Sequence, residues 1–317
     1  FMRTFLLIFG ILLLIAVEIL RVYFIMPFPG SQKSDSLGFA YWLHNNIFWV
    51  RLLGVAMLAW PIIHLARHGR MWEKAVTAGA LIFYGVIFYF FNYEFLADKM
   101  FYQPGTKTFL SAGKSTIPTD KLVLGVYLNG EPKAYPIQLI GYHHQVRDTI
   151  GNIPVMVTYC TVCRTGRVFS PKVGDKLEDF RLVGMDHFNA MFEDATTKSW
   201  WQQATGEAVA GPLKGTRLHE IPAQQVSLSA WLNQYPNSLV MQPDTMFNKQ
   251  YDHLADFDRG TIKSGLEKRD SASWQFKSWV VGIDNGQHAK AYDWNELVNK
   301  KIIQDSMPDL PLVILLE

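Results

Sequence analysis

The chain has 317 residues, 49% of them hydrophobic and 18% charged, with a formal net charge of +2. That balance is too apolar for a wholly soluble protein of this length and implies a membrane portion. With no basic run anywhere, it gives no footing to DNA or RNA as a partner.

The apolar excess lies near the N-terminus. Residues 5–26, 48–66 and 75–93 are each about long enough to cross a hydrocarbon core of ~30 Å as helices. Three spans are expected, with membrane lipid as one partner and other membrane-protein subunits as candidate partners of the helices. The first span opens on Arg3 as a signal peptide would, but no small-x-small cleavage site follows and the run continues past Glu18 and Arg21 to Met26. It therefore reads as an uncleaved anchor. Glu18 and Arg21 have the spacing of an interfacial anchor or of a contact with partner helices. His64, just after Pro61, falls near the inner interface, and the spans hold too few inward histidines for a haem bundle.

Arg67, Arg70 and Lys74 crowd the connection between the second and third spans, whereas residues 27–47 carry Lys33 as their only basic side chain. The positive-inside rule then places the N-terminus in the cytoplasm and everything from about residue 97 onward on the far side. In a bacterial inner membrane that side is the periplasm, where a disulfide is chemically allowed.

The expected organisation is a three-helix transmembrane region over 1–96, a linker and approach loop over 97–120, and a mainly β exterior domain with short helices over 121–317. The linker contains Ala112-Gly113-Lys114-Ser115-Thr116, but a phosphate loop would need glycine at Thr108, so no nucleotide cofactor is expected.

The exterior region repeats itself. Residues 122–160 align with 279–317, with landmarks Gly125/Gly282, Asn129-Gly130/Asn285-Gly286, Lys133-Ala134-Tyr135/Lys290-Ala291-Tyr292, Asp148/Asp305 and Pro154/Pro311. Each copy predicts strand, Asn-Gly hairpin, strand, short helix, strand, turn, strand. Pro136 and the pair Asp293/Glu296 mark the helix starts. Cys160 aligns with Glu317, so the second copy stops where the first begins its cysteine segment, and the chain is expected to continue past that point. Between the copies, residues 179–241 alternate as strands and loops, with one helix capped by Ser227 and ending before Pro236.

Three segments, "VTYCTVCRTGRVF", "TTKSWWQQATGEAVAGPLKGTRL" and "PAQQVSLSAWLNQYPNSLVM", resemble the DUF3179 family of bacterial proteins over roughly the whole exterior region. The family pattern falls on Tyr159, Cys160, Cys163, Asp194, Thr197, Ser199, Trp201, Gln203, Gly206 and Gly211. The resemblance implies no reaction. Met185-Asp186-His187 and the doubled Trp200-Trp201 look particular to a membrane-anchored branch.

The chemistry must come from the residues. Cys160 and Cys163 are the only cysteines. As thiolates they offer half of a copper or zinc site, with His143, His144, Met185, His187 and His219 as candidate further ligands. Strand alternation would let only one of His143 and His144 face the cysteines, and Lys300 and Lys301 stand in their places in the second copy. A second reading is a thiol–disulfide pair with Arg164 and Arg167 nearby, although "RTGRVF" reads as turn then strand rather than the helix of a thioredoxin. A third is a structural disulfide in an interaction subunit docked on a larger complex.

Asp194, Ser199, Trp201 and Gln203 are candidates for a cleft that binds a polar ligand, and a hydrolase built on it is a further alternative. Alternation would put Trp200 on the opposite face from Trp201, with at least one ring at an interface. Asp186-His187 and Asp252-His253 are adjacent pairs without the spatial relay a hydrolase needs.

Overall fold

The computed structural model describes residues 2–260, 262, 265–266, 269–275 and 278–316. The chain divides into two compact units, 1–254 and 255–317.

Three helices of the first unit are long and apolar enough to cross a membrane. They are α1 (Met2–Tyr23), α2 (Leu37–His68) and α3 (Met71–Tyr89), the last extended by a π-helical turn, Phe90–Glu94. At 1.5 Å per residue, the 32 residues of α2 span about 48 Å against a core of ~30 Å. Its surplus N-terminal turns meet the β region, where Tyr41 and His44 stack edge-on against Trp200 at 5.0 and 5.4 Å. Trp200 is thus the ring at an interface, while Trp201 lies within the β core.

Glu18 and Arg21 turn inward instead of facing the interface or partner helices. Arg51 grips Glu18 through both carboxylate oxygens (2.7 and 2.6 Å), Asn92 Nδ2 adds a third bond at 2.9 Å, and Arg21 donates to Asn92 Oδ1 at 2.8 Å. The cause is electrostatic: Glu18 is fully buried, and a carboxylate among apolar side chains must find a charged partner. The cluster ties α1, α2 and α3 together. At the other end of the bundle Arg3 meets His64 at 2.8 Å, so α1 and α2 run antiparallel with both basic groups at one end.

After the short α4 (Ala97–Met100) and β1 (Phe109–Ser111), the first repeat copy supplies β2 (Leu122–Leu128), β3 (Glu131–Pro136), α5 (Ile137–His143), β4 (Gln145–Ile150) and β5 (Ile153–Cys160). Asn129 and Gly130 both take positive φ (47° and 84°), the two-residue hairpin the pair predicts. Pro136 sits one position before the helix, as its N-cap. His143 is the last helical residue and His144 the left-handed C-cap, φ 60°, so they do not alternate on a strand as expected.

The chain continues through β6 (Thr165–Phe169), β7 (Lys172–Val173), β8 (Lys176–Leu177), β9 (Phe180–Asp186), β10 (Asn189–Asp194), β11 (Trp200–Gln202), β12 (Ala208–Ala210), β13 (Glu220–Ile221) and β14 (Ala223–Ser227). It then forms α6 (Leu228–Gln234), β15 (Leu239–Met241) and α7 (Asn248–Asp252). Ser227 caps α6 by accepting from the Ala230 amide. Three larger sheets result, ordered β1-β15-β3-β2-β14, β12-β11-β10-β9 and β13-β6-β5-β4, and β7 pairs with β8 as a two-stranded ribbon. One hydrophobic core joins the last two sheets to the end of the first span, with Cys160, Met191, Phe192 and Trp200 packed in the same cluster as Val22, Ile25 and Met26.

The contact between span and sheet is close enough to require glycine. A Cβ on Gly184 of β9 would lie 2.1 Å from the Ile25 carbonyl oxygen, the same oxygen that accepts from the Met185 amide at 2.8 Å. Any side chain there would push β9 off the chain leaving α1.

The second unit holds the second copy: β16 (Val280–Asp284), β17 (Ala289–Asp293), α8 (Trp294–Lys300), β18 (Ile302–Met307) and β19 (Leu310–Leu315). The element order and register match the first copy, with Gly125 opposite Ala134 and Gly282 opposite Ala291. Asp148 binds Lys133 (3.1 Å) and the Tyr135 hydroxyl (2.6 Å), and Asp305 binds Lys290 at 2.5 Å. Lys301 takes the left-handed C-cap position of His144, φ 65°. Asp293 caps α8 through the Glu296 amide. The hairpins differ: in the second copy four residues connect the strands, only Gly286 has positive φ, and the Asn285 side chain closes the turn by accepting from the amides of Gln287 and His288. The alignment of Cys160 with Glu317 ends on a residue outside those described.

Candidate functional site at a paired-cysteine hairpin

β5 and β6 are antiparallel, and Cys160 opposite Thr165 is the last pair, so residues 161–164 form a four-residue loop. Arg164 takes positive φ (51°) and turns the chain into β6, the turn-then-strand that the sequence predicts. Cys160 is buried and Cys163 exposed, and the two are free thiols 3.4 Å apart. That exceeds the roughly 2.05 Å of an S–S bond.

A second hairpin lies against this loop. Asp186 pairs with Asn189 across the β9–β10 turn, whose two central residues, His187 and Phe188, both have positive φ (47° and 65°). Neither is glycine, and a left-handed Phe costs on the order of 1–3 kcal/mol. The turn presents the Phe188 carbonyl to both thiols, 3.6 Å from Cys160 and 3.4 Å from Cys163. Asn189 Nδ2 donates to the Cys163 sulfur at 3.4 Å.

These partners pull in opposite directions. The carbonyl accepts S–H and favours protonated thiols, whereas N–H and S–H donors favour a thiolate. The donors win at Cys163: the hydrogen bond from Cys160, helped by Asn189 and opposed by burial, lowers its pKa to about 7. The same thiol–thiol hydrogen bond, reinforced by burial, raises that of Cys160. The arrangement thus favours the thiolate at the exposed Cys163 and the thiol at the buried Cys160.

Asn189 is held by its own framework. Its Nδ2 also reaches Gln203 Oε1 (3.1 Å), and its Oδ1 accepts from the Ala204 amide (2.9 Å). Gln203 in turn donates to Thr158 Oγ1 and the Thr165 carbonyl on the cysteine hairpin (3.1 and 3.0 Å). The Gln of the Ser-x-Trp-x-Gln stretch therefore braces the thiol pair from below.

His143, His144 and His187, candidate ligands by sequence, each bond elsewhere. His143 binds the Tyr102 carbonyl and the Tyr251 hydroxyl through its two nitrogens (2.5 and 2.6 Å). Burial lowers its pKa, and it lowers that of His144, whose ring bonds the Tyr142 carbonyl at 3.0 Å, to about 4. Met185 lies on β9, and His187 projects from the turn to bond Asp186 at 2.7 Å. Among the described residues no three His, Cys, Asp or Glu side chains converge as a metal site. Of the expected ligands Cys160, Cys163, His143, His144, Met185 and His187, the cysteines and histidines form no group of three among the described residues.

Asp194, Ser199, Trp201 and Gln203, expected to line a cleft, are all buried. Asp194 accepts from the Thr197 amide (2.5 Å) and hydroxyl (2.6 Å), the Ser199 amide (3.1 Å) and Trp201 Nε1 (3.0 Å). Burial pushes this carboxyl up, but the bonds from Thr197, Trp201 and Ser199 together hold it below its ordinary value. They close the turn between β10 and β11. Gly211, φ 102°, passes so near that a Cβ would lie 2.6 Å from Ser199 Cα. Sequence reasoning missed Asn189 and Phe188; the adjacent Asp186-His187 was their one visible signal.

The chain matches no curated protein and no solved structure. A family model described as a protein of unknown function, DUF3179, matches residues 103–317, a stretch that contains both cysteines and the Asp194-to-Gly211 framework. The protein belongs to the DUF3179 family.

Proposed function

We propose that this protein is a membrane-anchored dithiol that exchanges electrons with other thiols and disulfides on the periplasmic side of a bacterial inner membrane. The observation that carries the reading is the geometry of the pair: an exposed Cys163 that accepts from Asn189 and lies 3.4 Å from a buried Cys160, an arrangement that lowers the pKa of Cys163 to about 7 and raises that of Cys160. A thiolate is the attacking species in thiol–disulfide exchange, and attack is fastest when its pKa is near the ambient pH. The basic loop at Arg67, Arg70 and Lys74 supports the orientation.

The exchange balances without further reagents. The Cys163 thiolate attacks one sulfur of a substrate disulfide, forms a mixed disulfide and expels the other substrate sulfur as a thiolate, which takes a proton. Cys160 then gives up its proton and attacks the Cys163 sulfur, expelling the second substrate thiolate. The substrate gains two electrons and the Cys160–Cys163 pair loses them; the reverse sequence oxidises a substrate dithiol. Copper or zinc at the same sulfurs would need its remaining ligands from outside the hairpin.

The Cys160→Ser variant tests this by removing the resolving sulfur. Incubated with oxidised glutathione, it should accumulate a mixed disulfide at Cys163, seen by mass, while the wild type passes on to an internal disulfide. Absence of any adduct at Cys163, together with unreactive thiols in the wild type, overturns the reading in favour of a structural pair.

A further inference from the structure

The thiol pair is coupled directly to the chain that leaves the first span. The Phe188 carbonyl faces both sulfurs, and the amide of the same residue donates to Gln32 Oε1 at 3.2 Å. Gln32, almost fully buried, donates to the carbonyls of Phe24 and Met26 at 3.2 and 3.4 Å. Phe24 immediately follows Tyr23, the last residue of α1. Cys163 is therefore three hydrogen bonds from the end of a membrane span.

Three further observations fix the height. Met185, on the strand leading into the turn, bonds the Ile25 carbonyl. Cys160 shares a hydrophobic core with Val22, Ile25 and Met26. Around the same level the rings of Tyr23, Phe24, Phe28, Phe39, Trp42 and Phe91 form a connected aromatic group, the residue types that gather where hydrocarbon meets headgroups. The reactive sulfur thus lies beside the chain that leaves the first apolar helix, the level at which a bilayer surface would lie if that helix spans a membrane.

We infer that the substrate of Cys163 is a cysteine pair of another membrane-anchored protein, located within a few residues of where that protein leaves the bilayer. The inference rests on the dithiol reading above and adds the place at which the substrate must present its sulfurs. A sulfur at that height is within reach of a short juxtamembrane segment, whereas a disulfide held rigidly far from the bilayer is not.

The test uses the full chain in lipid vesicles, its exterior region facing the bulk, and one disulfide-containing peptide in three forms: free, lipid-anchored through a tether of about 4 residues, and anchored through about 20. At ~3.3–3.6 Å per residue the short tether reaches about 14 Å, enough for a site at the headgroups and too short for a distal one. Effective concentration falls roughly as the −3/2 power of tether length, so the short form should react about tenfold faster than the long form. Exchange with the free and long-tethered peptides but not the short one overturns the placement and leaves the dithiol chemistry standing. Exchange with none of the three, the free peptide included, overturns the dithiol reading and this inference with it.

Discussion

Replacing Asp194 with alanine removes the acceptor for four hydrogen bonds at once. Its carboxylate takes the amide and hydroxyl of Thr197, the Ser199 amide and the Trp201 indole, and Ser199 and Trp201 are buried where water does not reach them. Hydrogen bonds to a charged group contribute about 1.5–3 kcal/mol each, and a buried donor left without a partner costs about 1–3 kcal/mol. Because the four share one acceptor they do not add, and a net loss of about 3–5 kcal/mol is expected, a large fraction of the stability of a typical domain. At about 2–4 °C per kcal/mol that lowers the melting point by on the order of 10 °C. Tryptophan fluorescence of the full chain in micelles reports it directly, since Trp200 and Trp201 flank the turn. The pH dependence gives an independent check. A carboxyl held below its ordinary value stabilises fully above about pH 4, and that stabilisation is lost as pH falls through the folded value, so wild type and variant should converge in acid. A melting point within about 2 °C of wild type at pH 7, or a gap that does not narrow in acid, would refute the account of this turn.

In the bundle, Arg51→Met alone strands the buried Glu18 carboxylate and should cost about 3–5 kcal/mol, whereas adding Glu18→Leu should recover most of the loss; folded yield and melting in nanodiscs decide, and additive losses would contradict the pairing. Asn189→Leu removes an N–H that favours the Cys163 thiolate, so its alkylation midpoint should move above pH 7, and an unchanged midpoint would assign Asn189 no part in tuning the sulfur. His144→Asn keeps a residue that tolerates φ 60° and should leave the reactivity of Cys163 unaltered, while His144→Val should destabilise by about 1–2 kcal/mol; loss of thiol reactivity in the Asn variant would revive the histidine as a working part of the site.

Hydropathy made the three apolar helices legible, because such a helix is fixed by length and composition before any packing is considered. The repeat was legible for a different reason. Asn129-Gly130, Lys133-Ala134-Tyr135 and Asp148 each meet a local or cross-strand demand, and the same register places Lys290 on Asp305 in the second copy. What escaped was pairing at long range. Nothing near Glu18 in the sequence points to Arg51, 33 residues on. Nor do His143 and His144 announce that a seven-residue helix ends there in a left-handed cap. Asp194, Ser199, Trp201 and Gln203 have the composition of a ligand cleft, but a buried hydrogen-bonded turn calls for the same side chains. The positive φ angles at His187 and Phe188, which aim a carbonyl at the thiols, have no signature in residue type at all.

The most direct test of the central claim is the rate of Cys163 alkylation as a function of pH in the intact membrane protein, with Cys160→Ser and Cys163→Ser as controls. An unperturbed thiol has a pKa of about 8.5 and is roughly 3% ionised at pH 7, whereas one at about 7 is half ionised. A single reactive site is expected, at Cys163, with its midpoint near pH 7. In the Cys160→Ser variant the serine hydroxyl is still a donor, so that midpoint shifts only modestly. A midpoint of 8.5 or above, or equal reactivity of the two cysteines, would contradict it.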